Sequence, residues 1–341
     1  MPRKKDAFAK LIDWIIPDGL LTRLNGKDED KLLVLAYHRI CDFNKGSFDY
    51  DMELISASTR QFEFQVKFIC EYFNPISLTQ LEHHIRDNAS LPKNAVLLTF
   101  DDGFDDNYHH AYPILKKYNC PATIFVSTDY ISSERTIWFD QLAAVIRHFP
   151  HPKLAVKQLD NVYDFDNDDR ERIIAKVLSD FKTLKNADRE AALEEIFTEH
   201  SDVIETLNHQ QSKMLSWDQV REMDASLIDF GSHTVTHPVL TQLDEQGQHD
   251  ELEQSRKTLE TQLSHPVVSI SYPDGTEKAF NKTTLAIAKE CGYQLGFSYL
   301  SGINPLPLRE HLALKRLHVE HYIDNSHFKA LLCLPTLFGE H

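Results

Sequence analysis

Short apolar runs alternate along this chain with longer segments in which apolar residues recur at helical spacing. The runs at 95–100 and 122–126 are nearly continuous, as is typical of buried strands. Strands that alternate with helices indicate a parallel sheet or barrel, and therefore an α/β fold. We predict further strands at 32–37, 227–231, 267–272, 295–299 and 312–319, and helices at 59–73, 78–88, 136–149, 243–264 and 278–291, with another helix ending near 118.

The segment 150–215 interrupts this alternation. Charged residues become dense there, strand signals vanish, and four apolar residues between positions 173 and 178 recur at helical spacing. We predict that 150–215 is a helical insertion of two or three helices. The barrel is then built in two parts, from 31–149 and 216–341.

The first 30 residues are predicted to form an amphipathic helix and a linker. The apolar side chains within 7–24 share one face, which we expect to pack on the domain. A weak contact with a membrane surface or a partner protein is the alternative. The residues of this face are Phe8, Leu11, Ile12, Ile15 and Ile16.

Composition excludes several classes of protein. Apolar residues make up 42% of the 341 positions, which is ample for a core, and the net charge of −16 argues against nucleic acid as a partner. No window holds about 18 uncharged apolar residues, so no transmembrane segment is expected. Five scattered cysteines fit buried thiols in a reducing compartment. With no export signal evident, we expect a cytoplasmic location, with a peripheral contact at the inner membrane left open.

Two adjacent carboxylates, Asp101 and Asp102, follow a predicted strand at a turn that Gly103 permits. Because like charges repel, the pair needs a compensating cation or a raised pKa. His233 and His237 also follow a predicted strand, and they share one face if the segment forms a helical turn. One aspartate and two histidines, with positions left for water, fit the ligand set of a metal hydrolase.

These residues all lie where predicted strands end. The turn at 272–275, Tyr-Pro-Asp-Gly, also follows a strand. In parallel barrels the chemistry gathers at the carboxyl ends of the strands. We therefore expect these separate pieces of sequence to meet in one site.

The motifs resemble the polysaccharide deacetylase family, the NodB-homology carbohydrate esterases. Thr-Phe-Asp-Asp-Gly at 99–103 is the first family motif, unchanged, and His-Thr-Val-Thr-His at 233–237 fits the second, His-Ser/Thr-x-x-His. The turn at 271–275 corresponds to the third. Tyr-His-Arg-Ile at 37–40 and Trp-Phe-Asp at 138–140 resemble a subgroup linked to exopolysaccharide or lipopolysaccharide biosynthesis.

The resemblance covers about residues 31–320. It implies a deformed (β/α) barrel, a divalent metal that is most often zinc, and removal of an N-acetyl group from an amino sugar in a polysaccharide or lipid-linked glycan precursor. The backbone amide of Asp274, beside Tyr272, corresponds to the position that helps to bind the oxyanion and substrate. The resemblance makes Asp101 the general base, and the metal ligands are Asp102, His233 and His237.

The chain departs from the family pattern in three places. Ser271 stands where the third motif often carries an arginine that orients the base, and the fourth motif, with its Asp and Trp, is not evident. The last motif usually supplies a general acid from Leu-x-His. We consider His318 as this acid, Arg316 as the replacement arginine, and His38 as a second acid candidate or a group that lines the site.

Three functions stay open at this point. A deacetylase acting on an N-acetylated glycan is favoured, an amidohydrolase of a small non-sugar amide is the alternative enzyme, and a catalytically impaired glycan-binding protein is the third. Retention of Asp101 argues against the last function, because metal binding alone does not require that base. Contact with a biosynthetic complex is a further expectation.

Overall fold

The computed structural model describes residues 2–15, 17, 19, 30–44, 46–166, 169–224 and 227–339. Its strands, in chain order, are β1 (Lys31–Tyr37), β2 (Arg39–Ile40), β3 (Ile55–Ala57), β4 (Asn74–Pro75), β5 (Ala95–Phe100), β6 (Ala122–Val126), β7 (Lys153–Val156), β8 (Asn161–Asp164), β9 (Ile228–Ser232), β10 (Ser269–Ser271), β11 (Leu295–Ser301), β12 (Asn304–Pro305) and β13 (Leu314–His318).

Seven of these strands close into a parallel barrel. Their order is β1, β13, β11, β10, β9, β6 and β5, and a pairing of β5 with β1 completes the ring. The flanking β4 and β12 extend the sheet outside the ring. The predicted (β/α) barrel is therefore confirmed.

Most helices lie where periodicity predicts them, whereas those at Trp217–Asp224, Asn325–Cys333 and Pro335–Phe338 are not among the predictions. All of these helices surround the barrel. They are α1 (Pro2–Ile15), α2 (Thr59–Tyr72), α3 (Leu78–Asp87), α4 (Tyr112–Tyr118), α5 (Trp138–Arg147), α6 (Arg170–Phe181), α7 (Asn186–Glu199), α8 (Ser201–Thr206), α9 (Trp217–Asp224), α10 (Glu245–Leu263), α11 (Lys282–Glu290), α12 (Asn325–Cys333) and α13 (Pro335–Phe338). Among the described helices, none combines the length and apolar content that a bilayer crossing requires.

Local sequence explains the helix starts and the buried strands. Ser58 and Ser77 each cap a helix through a reciprocal bond with a glutamine three residues later, which satisfies otherwise unpaired amide groups. Every residue of β5 and of β6 is buried, because one face meets the barrel interior and the other meets helices. The carboxyl end of β5 is thereby held rigidly in the barrel.

The segment 150–215 contains α6, α7 and α8, as its periodicity predicts. The expectation that it has no strands is wrong, because β7 and β8 form an antiparallel hairpin with Lys153 opposite Asp164. Alternate residues of β7 are buried, and a pattern of only four residues is too short to stand out in a charged sequence. That the segment is an insertion between two barrel parts stays a prediction.

Candidate active site

Side chains at the carboxyl ends of the barrel strands line one cavity of about 370 Å³. Asp101 and Asp102 follow β5, His233 follows β9, Tyr272 follows β10 and His38 follows β1. The predicted meeting of these sequence segments therefore occurs. The described residues that line the cavity are His38, Asp51, Glu53, Leu54, Asp101, Asp102, Phe139, Leu178, Lys182, His233, His237, Tyr272, Asp274, Thr276, Tyr299, Arg316, Glu320 and Tyr322.

Asp102, His233 and His237 form a buried cluster that could hold a metal. The Nε2 atoms of His233 and His237 lie 3.4 Å and 3.3 Å from Asp102 Oδ1. Ligand atoms placed about 2.1 Å from a tetrahedral metal would be separated by about 3.4 Å, so the spacing fits. Within the described residues, neither carboxylate oxygen of Asp102 accepts a hydrogen bond, although both are buried.

The charges of the cluster also call for a cation. Burial would raise the pKa of Asp102, but the nearby histidines bring it well below its usual value. Burial would lower the pKa of His233, yet the carboxylates of Asp101 and Asp102 raise it. Burial lowers the pKa of the His237 ring to about 4, so this ring is neutral and able to bind a metal at neutral pH.

The segment that carries both histidines is a tight loop and not the helical turn that would put them on one face. Thr234 and His237 adopt left-handed backbone angles, with φ of 67° and 56°. Glu251 on α10 accepts bonds from the amides of Val235 and Thr236, at 2.7 Å and 3.0 Å. These bonds offset the strain of the loop and bring the two rings to a centroid distance of 4.7 Å.

Left-handed backbone angles also occur at Asp102 and Asp274, with φ of 74° and 60°. Gly103 follows with φ of 87°, and a Cβ there would lie 2.9 Å from Val126 Cγ1. The glycine of the first motif is therefore needed both for its conformation and for its lack of a side chain. Strain of this kind is typical of residues positioned for function.

Further contacts orient the two histidine rings. His233 Nδ1 lies 2.7 Å from the Ser271 carbonyl, which leaves Nε2 directed at Asp102. Trp138 Nε1 donates to the His237 carbonyl at 3.0 Å, and the Phe139 ring packs against the His237 ring. Trp138 and Phe139 therefore support the cluster.

Asp101 is paired with Arg316, which lies on β13. Arg316 donates from Nη1 to Oδ1 at 2.9 Å and from Nη2 to Oδ2 at 2.7 Å, in the forked geometry of a strong ion pair. Arg316 Nη2 also donates to Ser271 Oγ at 3.0 Å, and Ser271 donates to Asp101 at 3.2 Å. Burial alone would raise the pKa of Asp101, but Arg316 brings it below its usual value. The compensating cation of this carboxylate is therefore an arginine.

The two histidines considered as the acid occupy different places. His38 lines the cavity, whereas His318 stacks face to face on Tyr299 with centroids 3.7 Å apart. His318 is absent from the described residues that line the cavity. Of the two histidines, only His38 therefore has its place in the cavity wall.

The turn after β10 presents Tyr272 and Asp274 to the cavity. Within this turn, the Gly275 N–H donates to the Pro273 carbonyl at 2.7 Å. A Cβ on Gly275 would lie 2.5 Å from the Tyr299 amide nitrogen, so the turn is packed closely against β11.

Several residues that line the cavity carry no signal in the sequence. Lys182, at the end of α6, reaches Asp274 Oδ1 at 2.7 Å, so residues within 150–215 contribute to the site. Tyr299 donates to Glu320 at 3.0 Å, and burial raises the pKa of that carboxyl to about 7. Only the periodicity of β11 points to Tyr299, and it does not distinguish a cavity residue from a core residue.

Comparison with known proteins agrees with this geometry. Residues 88–296 match the family model for polysaccharide deacetylase. A Bacillus subtilis protein named "Putative polysaccharide deacetylase YxkH" is 24% identical over 267 residues, which are 78% of this chain and 63% of that protein. A poly-beta-1,6-N-acetyl-D-glucosamine N-deacetylase of Staphylococcus aureus is 33% identical over 113 residues, 31% of this chain and 39% of that protein. The chain thus spans less than two thirds of the length of either relative.

The fold has a counterpart among solved structures. The deacetylase PplD of Streptococcus pyogenes, solved in complex with acetate, superposes with a TM-score of 0.58 at 22% identity. The match covers 92% of this chain and all of that one, and it concerns the fold alone. Because the family model spans more than half of the chain, the protein belongs to the polysaccharide deacetylase family.

Proposed function

We propose that this protein is a metal-dependent N-deacetylase that hydrolyses the N-acetyl group of an amino sugar in a polysaccharide or lipid-linked glycan precursor. The observation that carries the proposal is that two adjacent carboxylates have different partners. Asp102 lies with His233 and His237, whereas Asp101 is held by Arg316 outside that cluster. A carboxylate that binds a metal cannot also serve as a free base, so the reaction needs both carboxylates.

Asp102, His233 and His237 would hold the divalent metal, and zinc is the ion that this donor set suits. When bound, the metal supplies Lewis-acid chemistry that polarises the amide carbonyl and activates water. The Ser271 carbonyl holds His233 through Nδ1, and Trp138 holds the backbone of His237 through its carbonyl.

Asp101 would accept the proton of the attacking water, a role worth about 10²–10⁴-fold in rate. Arg316 keeps that carboxylate ionised and fixes its orientation through two hydrogen bonds. The amide N–H of Asp274 is suited to donate to the developing oxyanion, where one such donor is worth about 3 kcal/mol.

Cleavage of the C–N bond releases acetate and leaves an amine that must gain a proton. We assign this step to His38, because it lines the cavity. The prediction that His318 is the acid remains untested, and its stacking on Tyr299 also suits a positioning role.

The shape of the site supports a polymeric substrate over a small amide. A second cavity of about 730 Å³ adjoins the first and shares Asp51, Lys182 and Asp274 with it. The named activity of the Staphylococcus aureus relative supports an N-acetylglucosamine polymer as the substrate class. None of the five cysteines, all of which are described, forms a disulfide, which supports a reducing compartment such as the cytoplasm.

Acetate release tests this proposal. Purified protein with stoichiometric zinc is incubated with oligomers of N-acetylglucosamine or N-acetylgalactosamine, beside Asp101→Asn and the exposed control Asp129→Asn. We expect release by the wild type and the control, and none by Asp101→Asn with its metal still bound. Metal binding without release from any glycan would refute the proposal and favour a small-amide hydrolase or a binding protein.

A further inference from the structure

Helix α1 presents an apolar stripe to solvent. Phe8 and Leu11, which are predicted from the sequence to pack on the domain, are instead each 50% exposed, and Trp14 is 84% exposed. Spaced three residues apart, these side chains lie on one face of the helix. Large apolar side chains that share an exposed face mark a binding surface, whereas a single exposed one needs no explanation.

The opposite face of α1 is attached firmly to the domain. Asp6 Oδ1 lies 2.6 Å from His327 Nδ1, and Asp13 accepts from Ser326 and Lys329 at 2.7 Å and 2.9 Å. These partners belong to α12, and the apolar residues Ala9 and Ile12 are buried beneath the helix. The exposed stripe is therefore held outward by a rigid attachment.

Charge along α1 contrasts with that of the whole protein. The sequence Arg3-Lys4-Lys5 begins the helix, while the protein carries a net charge of −16. Both acidic residues of the helix, Asp6 and Asp13, face α12 and contact its histidine and lysine. With Lys10, the helix has four basic and two acidic residues, so its net charge is positive.

We propose that α1 docks the protein on an anionic membrane surface. A helix with aromatic and aliphatic residues on one face and basic residues near it lies in the headgroup region of such membranes, where anionic lipids attract the basic residues. A second copy of this chain fits less well. The stripe offers on the order of 400 Å² of apolar surface, below the roughly 800 Å² per partner of a stable dimer, and two copies would carry like net charges.

One ion pair joins α1 to the segment that follows a residue lining the active-site cavity. Tyr322 lines that cavity, and Asp324, two residues later, forms an ion pair with Lys10 of α1 at 3.0 Å. Two residues span at most about 7 Å. Docking would thus bring the cavity close to the membrane, and a glycan attached to that membrane would reach it. This consequence rests on the proposed deacetylase function, whereas docking itself does not.

Sedimentation with vesicles tests the docking. The full chain is mixed with vesicles of equal parts phosphatidylglycerol and phosphatidylcholine, and the sedimented fraction is measured. The variant Phe8→Ser/Leu11→Ser/Trp14→Ser is expected to lower the partition coefficient by about 100-fold. The matched control is Val162→Ser, which removes an apolar side chain that is 56% exposed on the β7–β8 hairpin. This variant should leave the partition coefficient unchanged.

Three results would overturn the proposal: no sedimentation of the wild type, equal sedimentation of the triple variant, or a vesicle-free dimer that the triple variant dissociates. Arg3→Glu/Lys4→Glu reverses the charge at the start of the helix. It should therefore weaken binding to the vesicles and make that binding less dependent on salt. Acetate release from soluble oligomers should be the same in the wild type and the triple variant. Vesicle binding without acetate release would refute the deacetylase and leave the docking intact.

Discussion

Replacement of Arg316 should separate the stability of this site from its chemistry. The guanidinium is fully buried and makes five hydrogen bonds, two of them to Asp101. Arg316→Met removes all five and leaves a buried carboxylate without its partner. Loss of one member of a buried ion pair costs about 3–5 kcal/mol, which we expect for the free energy of unfolding of this variant.

Arg316→Lys keeps the charge but cannot make the fork of bonds that fixes Asp101. We expect a loss of about 1–2 kcal/mol in stability, since most of the hydrogen bonds disappear. The value of kcat should fall by about 10–100-fold, because a base displaced by about 1 Å no longer reaches its proton. The affinity for zinc should change little, because the metal cluster does not include Arg316.

Chemical denaturation gives the stability, and acetate release per folded molecule gives kcat. Arg39→Met is the matched control, because it removes a second buried arginine whose ion pairs are with Asp106 and Asp140. That variant should be destabilised to a similar extent while kcat per folded molecule is retained. The reasoning is refuted if Arg316→Lys retains wild-type kcat, or if Arg39→Met loses as much kcat as Arg316→Met does.

Three further predictions concern the contacts of the site. Trp138→Phe removes the N–H that donates to the His237 carbonyl, so the affinity for zinc, measured by calorimetry, should fall by about tenfold or more while the fold is kept. An unchanged affinity would contradict the role of Trp138 in supporting His237. Zinc at about 100 times its Kd should raise the free energy of unfolding by about 2.7 kcal/mol. His233→Ala should abolish this gain in stability, and an equal gain in the variant would place the metal elsewhere. Burial raises the pKa of the Glu320 carboxyl from 4.5 to about 7. The stability that this carboxyl contributes is therefore fully present below pH 4.5 and is lost as the pH rises through 7. Glu320→Gln, measured without metal, should therefore gain up to about 3 kcal/mol over the wild type between about pH 5 and pH 8; parallel stability curves would contradict this.

Most elements of the barrel could be predicted from the sequence, because a buried strand and an amphipathic helix each have a local period. The run at 95–100 is apolar at nearly every position, and it forms β5 over the same residues. The strand ends that carry Asp102 and His233 could therefore be located from the sequence alone. The hairpin of β7 and β8 could not be predicted, since four residues of alternation are too few to stand out.

The sequence by itself determined the alternation of strands and helices, the adjacent aspartates and the paired histidines, all of which depend on spacing within short segments. Only the tertiary structure decided that Arg316 pairs with Asp101 across 215 positions, and that Lys182 reaches the cavity. Neither contact has a local period, because each depends on which strands become neighbours when the barrel closes. The loop that carries His233 and His237 likewise depends on bonds from Val235 and Thr236 to Glu251, which form only once α10 packs beside it.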